Sequence, residues 1–205
     1  MHIAINASEK QKEEFLSRPI PSDLKISWGT EQVAGADAYF DLLFETSGAN
    51  FSVIHDQPIF VNEVIGTCAE LPKNFIRINA WNGFLKRDLV EVAVAKSSPI
   101  KKTAETILTQ LGWKPHWVAD IPGMVTPRVI AMIINEAYFA LGDKVSTKEE
   151  IDTAMKLGTG YPFGPFEWSE KIGLHKIYRL LKELGKQDNR YDVASKLEEE
   201  LKSLA

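Results

Sequence analysis

Apolar and polar positions follow two different rhythms along this chain, and the change of rhythm divides it. In the first half the apolar runs are short. Residues 2–7 read as a β-rich run, and Ser8 follows as a helix N-cap with Gln11 three residues on, so a helix is expected over Glu9–Leu16. Pro19-Ile20-Pro21 breaks that helix, residues 24–28 give a second strand, and Gly35-Ala36-Asp37 leads into an apolar run of strand length at 38–44. Residues 58–65, 75–80 and 89–95 supply three more strands. After Pro99, apolar Ala104, Ile107, Leu108 and Leu111 recur at i, i+3, i+4 and i+7 and Gly112 follows, which predicts an amphipathic helix over 102–111 closed by a glycine. Short strands alternating with helices predict an α/β domain.

The second half is helical in period. From 128 to 141 the apolar residues Val129, Ile130, Met132, Ile133, Ile134, Ala137, Tyr138, Phe139 and Leu141 occupy nearly the whole circumference. Such a helix must be covered on most sides, as the centre of a helical domain or as a dimer contact. Ser146 precedes Glu149 by three residues and is expected to cap a helix carrying Ile151, Ala154, Met155 and Leu157, with Gly158 at its end. Residues 172–184 and 191–204 read as two further amphipathic helices. A strand-like Trp117-Val118-Ala119 gives way to Asp120-Ile121-Pro122-Gly123, which sets the expected domains at 1–118 and 119–205.

Composition places the chain among folded proteins: 205 residues, 44% hydrophobic and 25% charged, with 13 Gly and 10 Pro. With 24 Lys+Arg against 28 Asp+Glu, the net charge of −4 lacks the basic footprint of a nucleic-acid binder or of a protein drawn to an anionic membrane. The longest apolar stretch, 129–141, is shorter than the roughly 20 residues that a membrane crossing needs. Cys68 is the single cysteine, which excludes an internal disulfide and has no Cys or His at metal-ligand spacing, so no metal site is expected. The opening residues lack the basic flank and apolar core of a secretion signal, and a reducing, cytoplasmic setting is expected.

One stretch is not generic. Ile151-Asp152-Thr153-Ala154-Met155-Lys156-Leu157-Gly158-Thr159-Gly160-Tyr161-Pro162-Phe163-Gly164-Pro165-Phe166-Glu167 ends a helix in three glycines and two prolines, which fixes an irregular turn. It resembles the C-terminal domain signature of the 3-hydroxyacyl-CoA dehydrogenase family, 3-hydroxybutyryl-CoA dehydrogenases included. Leu111-Gly112, Asp120-Ile121-Pro122-Gly123-Met124-Val125 and Asn135-Glu136-Ala137 are similar to that family's domain junction and first long helix. Residues 36–45, 75–82 and 89–92 are similar to its fourth-strand and catalytic segments. The resemblance implies an α/β plus all-α protein: a shortened Rossmann-like domain, then a helical domain of the 6-phosphogluconate-dehydrogenase C-terminal type. It also implies an NAD-dependent interconversion of 3-hydroxyacyl-CoA and 3-ketoacyl-CoA in fatty-acid metabolism. Partners implied are an acyl-CoA and a second chain, as a homodimer through the helical domain or a heteromer with a dehydrogenase paralogue.

Residue by residue, the carried-over site departs from the family pattern. The family's histidine, which takes the hydroxyl proton, falls on Asn79, and the glutamate that orients it twelve residues later falls on Glu91. Asn82 lies beside them, and Asn62-Glu63-Val64 is the nearest match to the substrate-side segment, which makes Asn62 a substrate-binding candidate. The junction asparagine becomes Pro127 before Arg128. A dinucleotide fold needs a Gly-x-Gly-x-x-Gly turn after the first strand, but the chain offers Asn6-Ala7-Ser8-Glu9-Lys10-Gln11-Lys12. Glu9 adds a negative charge where phosphates would lie. No cofactor-binding residue is assigned, and Glu91 on its own reads as a solvent-facing strand residue. His2, His55, His116 and His175 are scattered, and none stands out as a replacement base.

Overall fold

The computed structural model describes residues 1–54, 56–96 and 98–204; His55 lies outside them. The chain divides into two compact units, Met1–Met124 and Val125–Ala205. In the first unit the elements run β1 (His2–Asn6), α1 (Glu9–Leu16), β2 (Lys25–Trp28), β3 (Ala38–Asp41), α2 (Phe44–Ser47), β4 (Ile59–Asn62), β5 (Phe75–Ile78), β6 (Leu89–Ala93), α3 (Lys101–Gln110) and β7 (Lys114–Trp117). The strands form one sheet in the order β2-β1-β3-β4-β5-β6-β7, parallel except where β5 meets β6. Strand alternation sorts the core. Ile3, Ile5, Phe40, Ile76 and Ile78 pack on one face with Phe15 of α1 and Ala104, Ile107 and Leu108 of α3. Ala4, Tyr39, Ile59, Val61 and Phe75 pack on the other with Phe51 and Ile54. A strand buried on both faces reads as a continuous apolar run, as these do.

Several expected boundaries move for identifiable reasons. The run at 38–44 is a strand only to Asp41, and Phe44 opens α2 instead. The strand expected at 117–119 lies at Lys114–Trp117, where it pairs in parallel with β6. Residues 119–124 pack with the first unit. There Asp120 meets Arg77 of β5 at 2.5 Å and accepts the Cys68 N–H at 3.0 Å, while the Gly123 N–H donates to the Val64 carbonyl. Arg77 is fully buried and also donates to the carbonyls of Glu63 and Val64, so the Asp120 pair completes a satisfied guanidinium. Gly123 at φ 79° then makes the turn.

The second unit holds α4 (Thr126–Gly142), α5 (Lys148–Thr159), α6 (Pro165–Ile172), α7 (Leu174–Gly185) and α8 (Ser195–Ser203). The cap of α5 is Thr147, not Ser146: its hydroxyl accepts the Glu150 N–H, and the Glu150 side chain accepts the Thr147 N–H. The helix runs through Gly158 and stops at Gly160, which takes the left-handed conformation. The helix expected over 172–184 is two helices, broken at Gly173 (φ 102°), so that Ile172 belongs to α6. Tyr191 ends a short 3-10 turn ahead of α8. On α4, Ile130, Ala131, Ile134, Ala137 and Tyr138 are buried, but Val129 and Phe139 are 50% and 41% exposed, so one side of the helix is uncovered.

The glycine-proline signature has a mechanical explanation. Asp152 of α5 is buried, and its two carboxylate oxygens accept the N–H groups of Phe166 (2.8 Å) and Glu167 (3.1 Å), capping α6 from a neighbouring helix. The backbone at Gly164 passes so close that an added Cβ would lie 2.3 Å from the Asp152 carboxylate. Glu167 then accepts the Gly164 N–H at 2.9 Å and pairs with Lys156. Asn135 likewise works as a clamp, its amide donating to the Asp192 carbonyl and accepting the Ala194 N–H. Gly164, the extended N-cap of α6, and Gly158, inside α5, should therefore respond oppositely. Gly164→Ala should destabilise the chain by about 1–3 kcal/mol through overpacking, whereas Gly158→Ala, with open space around it, should stabilise by about 0.4–1 kcal/mol. Urea denaturation of both variants checks the pair, and equal effects would contradict this account of Gly164.

Candidate functional site

In an open α/β sheet, ligands bind beyond the carboxyl ends of the strands, at the point where the strand order reverses. Here the chain leaves β1, adds β2 on one side and returns to add β3 on the other, so that point lies between β1 and β3. The last residues of these strands, Asn6 and Asp41, are register partners. Their side chains bond directly across the gap, Asn6 Nδ2 donating to Asp41 Oδ1 at 2.8 Å, and Asp41 also accepts the Asn50 N–H at 2.8 Å. Both side chains are buried.

Gln11 closes the rest. Its Oε1 accepts the Ser8 N–H and hydroxyl at 3.0 Å each, while the Ser8 hydroxyl accepts the Gln11 N–H, forming the capping box of α1. Its Nε2 donates to the Leu42 carbonyl at 2.8 Å and the Ala80 carbonyl at 3.2 Å, beyond the ends of β3 and β5. One side chain, 3% exposed, thus joins α1 to the carboxyl edge of the sheet. A bound dinucleotide would need glycines that let its pyrophosphate approach free N–H groups at the start of α1. The residues present do not fit that group: the helix N-terminus is capped from within, the crevice holds Gln11, and exposed Glu9 stands in the first turn, paired with Lys12 at 2.7 Å.

The four candidate residues lie toward the same edge. Asn62 is 1% exposed, donates to the Leu42 carbonyl (3.3 Å) and accepts the Ala80 N–H (3.0 Å), which ties β3, β4 and the segment after β5. Asn79 is buried, its Oδ1 accepts the Trp81 N–H at 3.3 Å, and its own N–H donates to the Glu91 carbonyl. Asn82 is half-buried in the turn that follows. Glu91 is 5% exposed, a correction to its reading as a solvent-facing residue. It acts on Arg87, whose guanidinium lies over the Phe84 ring: burial lowers the Arg87 pKa, and the Glu91 charge opposes that shift. Glu91 is thus a buried carboxylate facing a cation, not an imidazole.

Asn6, Gln11, Asp41 and Glu45 are the parts of this edge that sequence reasoning missed. Glu45 accepts the Val64 N–H at 2.7 Å and the Trp81 indole N–H at 2.8 Å. Asp41 carried a signal, as a carboxylate inside an apolar run, because a charge is buried only with partners. Of the histidines, His116 and His175 are exposed, and His2 bonds Ser27. Burial, followed by Asp120, pushes the Cys68 thiol up to about 12, which makes it inert near neutral pH. Among the described residues, no group of three or more His, Cys, Asp or Glu could hold a metal, and no helix is long and apolar enough to cross a membrane.

With this geometry in place, residues 123–203 match the family model described as 3-hydroxyacyl-CoA dehydrogenase, C-terminal domain. The match takes in nearly the whole helical unit. The chain is 44% identical over 98 residues to 3-hydroxyadipyl-CoA dehydrogenase of Escherichia coli, covering 47% of this chain and 21% of that one. It is 30% identical over 131 residues to a 3-hydroxybutyryl-CoA dehydrogenase of Bradyrhizobium diazoefficiens, covering 62% and 45%. It therefore spans less than half the length of these relatives. Among solved structures, (S)-3-hydroxybutyryl-CoA dehydrogenase from Ralstonia eutropha superposes with a TM-score of 0.76 at 19% identity, covering 98% of this chain and 93% of that one. That likeness shows the fold: a Rossmann-like unit followed by the dehydrogenase helical domain.

The filled crevice makes a direct demand on stability. Gln11→Ala would leave the Ala80 carbonyl without its Gln11 partner and the Ser8 N–H without its side-chain acceptor, although Ser8 still caps α1, and should cost about 1–3 kcal/mol. Gln11→Glu, which keeps the capping oxygen but replaces the buried donor by an acceptor, should cost at least as much. Chemical denaturation of both measures this; wild-type stability in either would show that Gln11 does not close the edge.

Proposed function

We propose that this chain is a 3-hydroxyacyl-CoA dehydrogenase relative that does not itself transfer hydride, and that acts as an assembly subunit, pairing through its helical unit with a chain that carries the same domain. The observation that carries this reading is Gln11 in the crevice where the family's cofactor would lie, bonded to Leu42 and Ala80. Asn79 supports it. The family reaction needs a general base at that position, and an amide whose oxygen already accepts the Trp81 N–H cannot take a hydroxyl proton. The uncovered side of α4 gives such a subunit a surface to pair with. Any small-molecule role is then binding of an acyl-CoA without turnover, in a reducing, cytoplasmic setting suited to its single thiol.

A second reading rests on Glu91. A buried carboxylate beside Asn79, with Arg87 as its counter-charge, is a group a divergent enzyme could use on a modified acyl-CoA substrate. The two readings separate in one assay, oxidation of NADH by the purified chain with a short 3-ketoacyl-CoA, followed by absorbance. The subunit reading expects no rate above the enzyme-free control. A rate that falls by about 10²- to 10⁴-fold in Glu91→Ala would establish the divergent enzyme instead and assign it that carboxylate.

A further inference from the structure

The seven-stranded sheet has two edges, β2 and β7, and they are finished differently. Along an edge strand, alternate residues bond inward and those between them turn their N–H and C=O groups outward, where another strand can pair. On β7 the N–H groups of Lys114 and Val118 bond toward β6, at the carbonyls of Asp88 and Val92, so residue 115 faces out. That residue is Pro115, which has no N–H to offer and blunts the edge. On β2 the N–H groups of Lys25 and Gly29 bond to the carbonyls of Met1 and Ile5, so Ile26 and Trp28 face out, and both keep their N–H. The classic dinucleotide-binding sheet lays a further strand outside its second one, whereas here the sheet stops at β2.

The side chains at the open edge are largely apolar. Ile26 packs on the core beneath α1, and Trp28 is 36% exposed with its ring at right angles to Phe15, 6.2 Å away. Leu16 of α1 is 52% exposed. It stands one turn beyond Lys12, which is paired with Glu9 and lies 5.5 Å over the Trp28 ring, so this stripe of α1 borders the edge.

We propose that β2 pairs with β2 of a second copy of this chain, antiparallel about a two-fold axis at Ser27, joining the two sheets into one. In that register Ile26 exchanges both N–H and C=O bonds with the other copy's Trp28, and the two-fold repeats the exchange. Four bonds then use every outward backbone group of those two residues. Ile26 and the other copy's Trp28 share the α1 face, where a cross-strand pair of β-branched and aromatic side chains is stabilising. On the opposite face Ser27 meets its own copy, and Lys25 meets the other copy's Gly29, so no like charges are opposed. The two α1 helices come to lie on one side of the joined sheet, which brings the exposed Leu16 into the contact. A second copy is favoured over an unrelated strand because the pattern is its own complement. The proposal concerns the first unit alone and holds whether or not the helical units pair.

The test uses the full chain with one cysteine added, native Cys68 being buried. Ser27→Cys should cross-link between copies under mild oxidation at micromolar concentration, because a non-hydrogen-bonded antiparallel pair holds its Cα atoms about 4.5 Å apart, inside disulfide range. Lys25→Cys should not, since the two copies of that position lie about 14 Å apart in this register. Ile26→Pro removes an N–H that the β1 ladder does not use, which an edge strand tolerates, yet it deletes two of the four bonds between copies. Added to Ser27→Cys, it should slow cross-linking about tenfold. No cross-link at position 27, or equal cross-linking at positions 25 and 27, would overturn the proposal. A cross-link at 27 whose rate Ile26→Pro leaves unchanged would overturn it as well, by showing that the backbone bonds do not hold the copies together.

Discussion

Gln11 joins three parts of the sheet's carboxyl edge: the N-terminus of the first helix, the end of the strand across the switch point, and the segment after β5. Each of its polar groups is used, the oxygen by Ser8 and the nitrogen by the carbonyls of Leu42 and Ala80. Around it, Asn62 contacts the same Leu42 carbonyl and the Ala80 N–H, and Asn6 bonds Asp41 across the gap between β1 and β3. Buried polar groups are costly unless satisfied, and here they satisfy one another. A cofactor entering this crevice would have to break the network that holds the carboxyl edge together.

The residues that relate the chain to dehydrogenases are of a different kind. Asp152 caps α6, Gly164 makes room for that cap, Asn135 holds the segment leading into α8, and Asp120 neutralises the buried Arg77. These are scaffold functions. They hold the helical unit and the last segment of the first unit in shape. The signature by which the family is recognised reports architecture, and turnover has to be argued from the edge of the sheet.

Much of this was legible in the sequence. Short apolar runs and period-3.6 patterns located six of the seven strands and the main helices, since burial on both faces of a sheet and on one face of a helix leaves a local trace. What failed was whatever depends on non-local partners. Ser146 and Thr147 both have an acidic residue three positions on, and periodicity cannot choose between them. Gly173 interrupts an apolar rhythm that continues unbroken from Ile172 to Ile177, so two helices read as one. The missing glycines raised the expectation of a lost dinucleotide clamp, but Gln11 read only as a cap. Its second role needs Leu42 and Ala80, 31 and 69 residues away. Glu91 looked solvent-facing because alternation was counted on one strand, whereas the antiparallel β5–β6 pairing and Arg87 decide its surroundings.

The most direct test of the closed crevice is a titration of NADH into the purified chain, following energy transfer from its five tryptophans. Trp81 donates its indole N–H to Glu45 at the edge where the cofactor would sit, so binding there would place an acceptor close to a buried donor. A crevice filled by Gln11 predicts no saturable transfer up to millimolar NADH. Saturation in the micromolar range would contradict it, by showing that the Gln11 network opens to admit the cofactor.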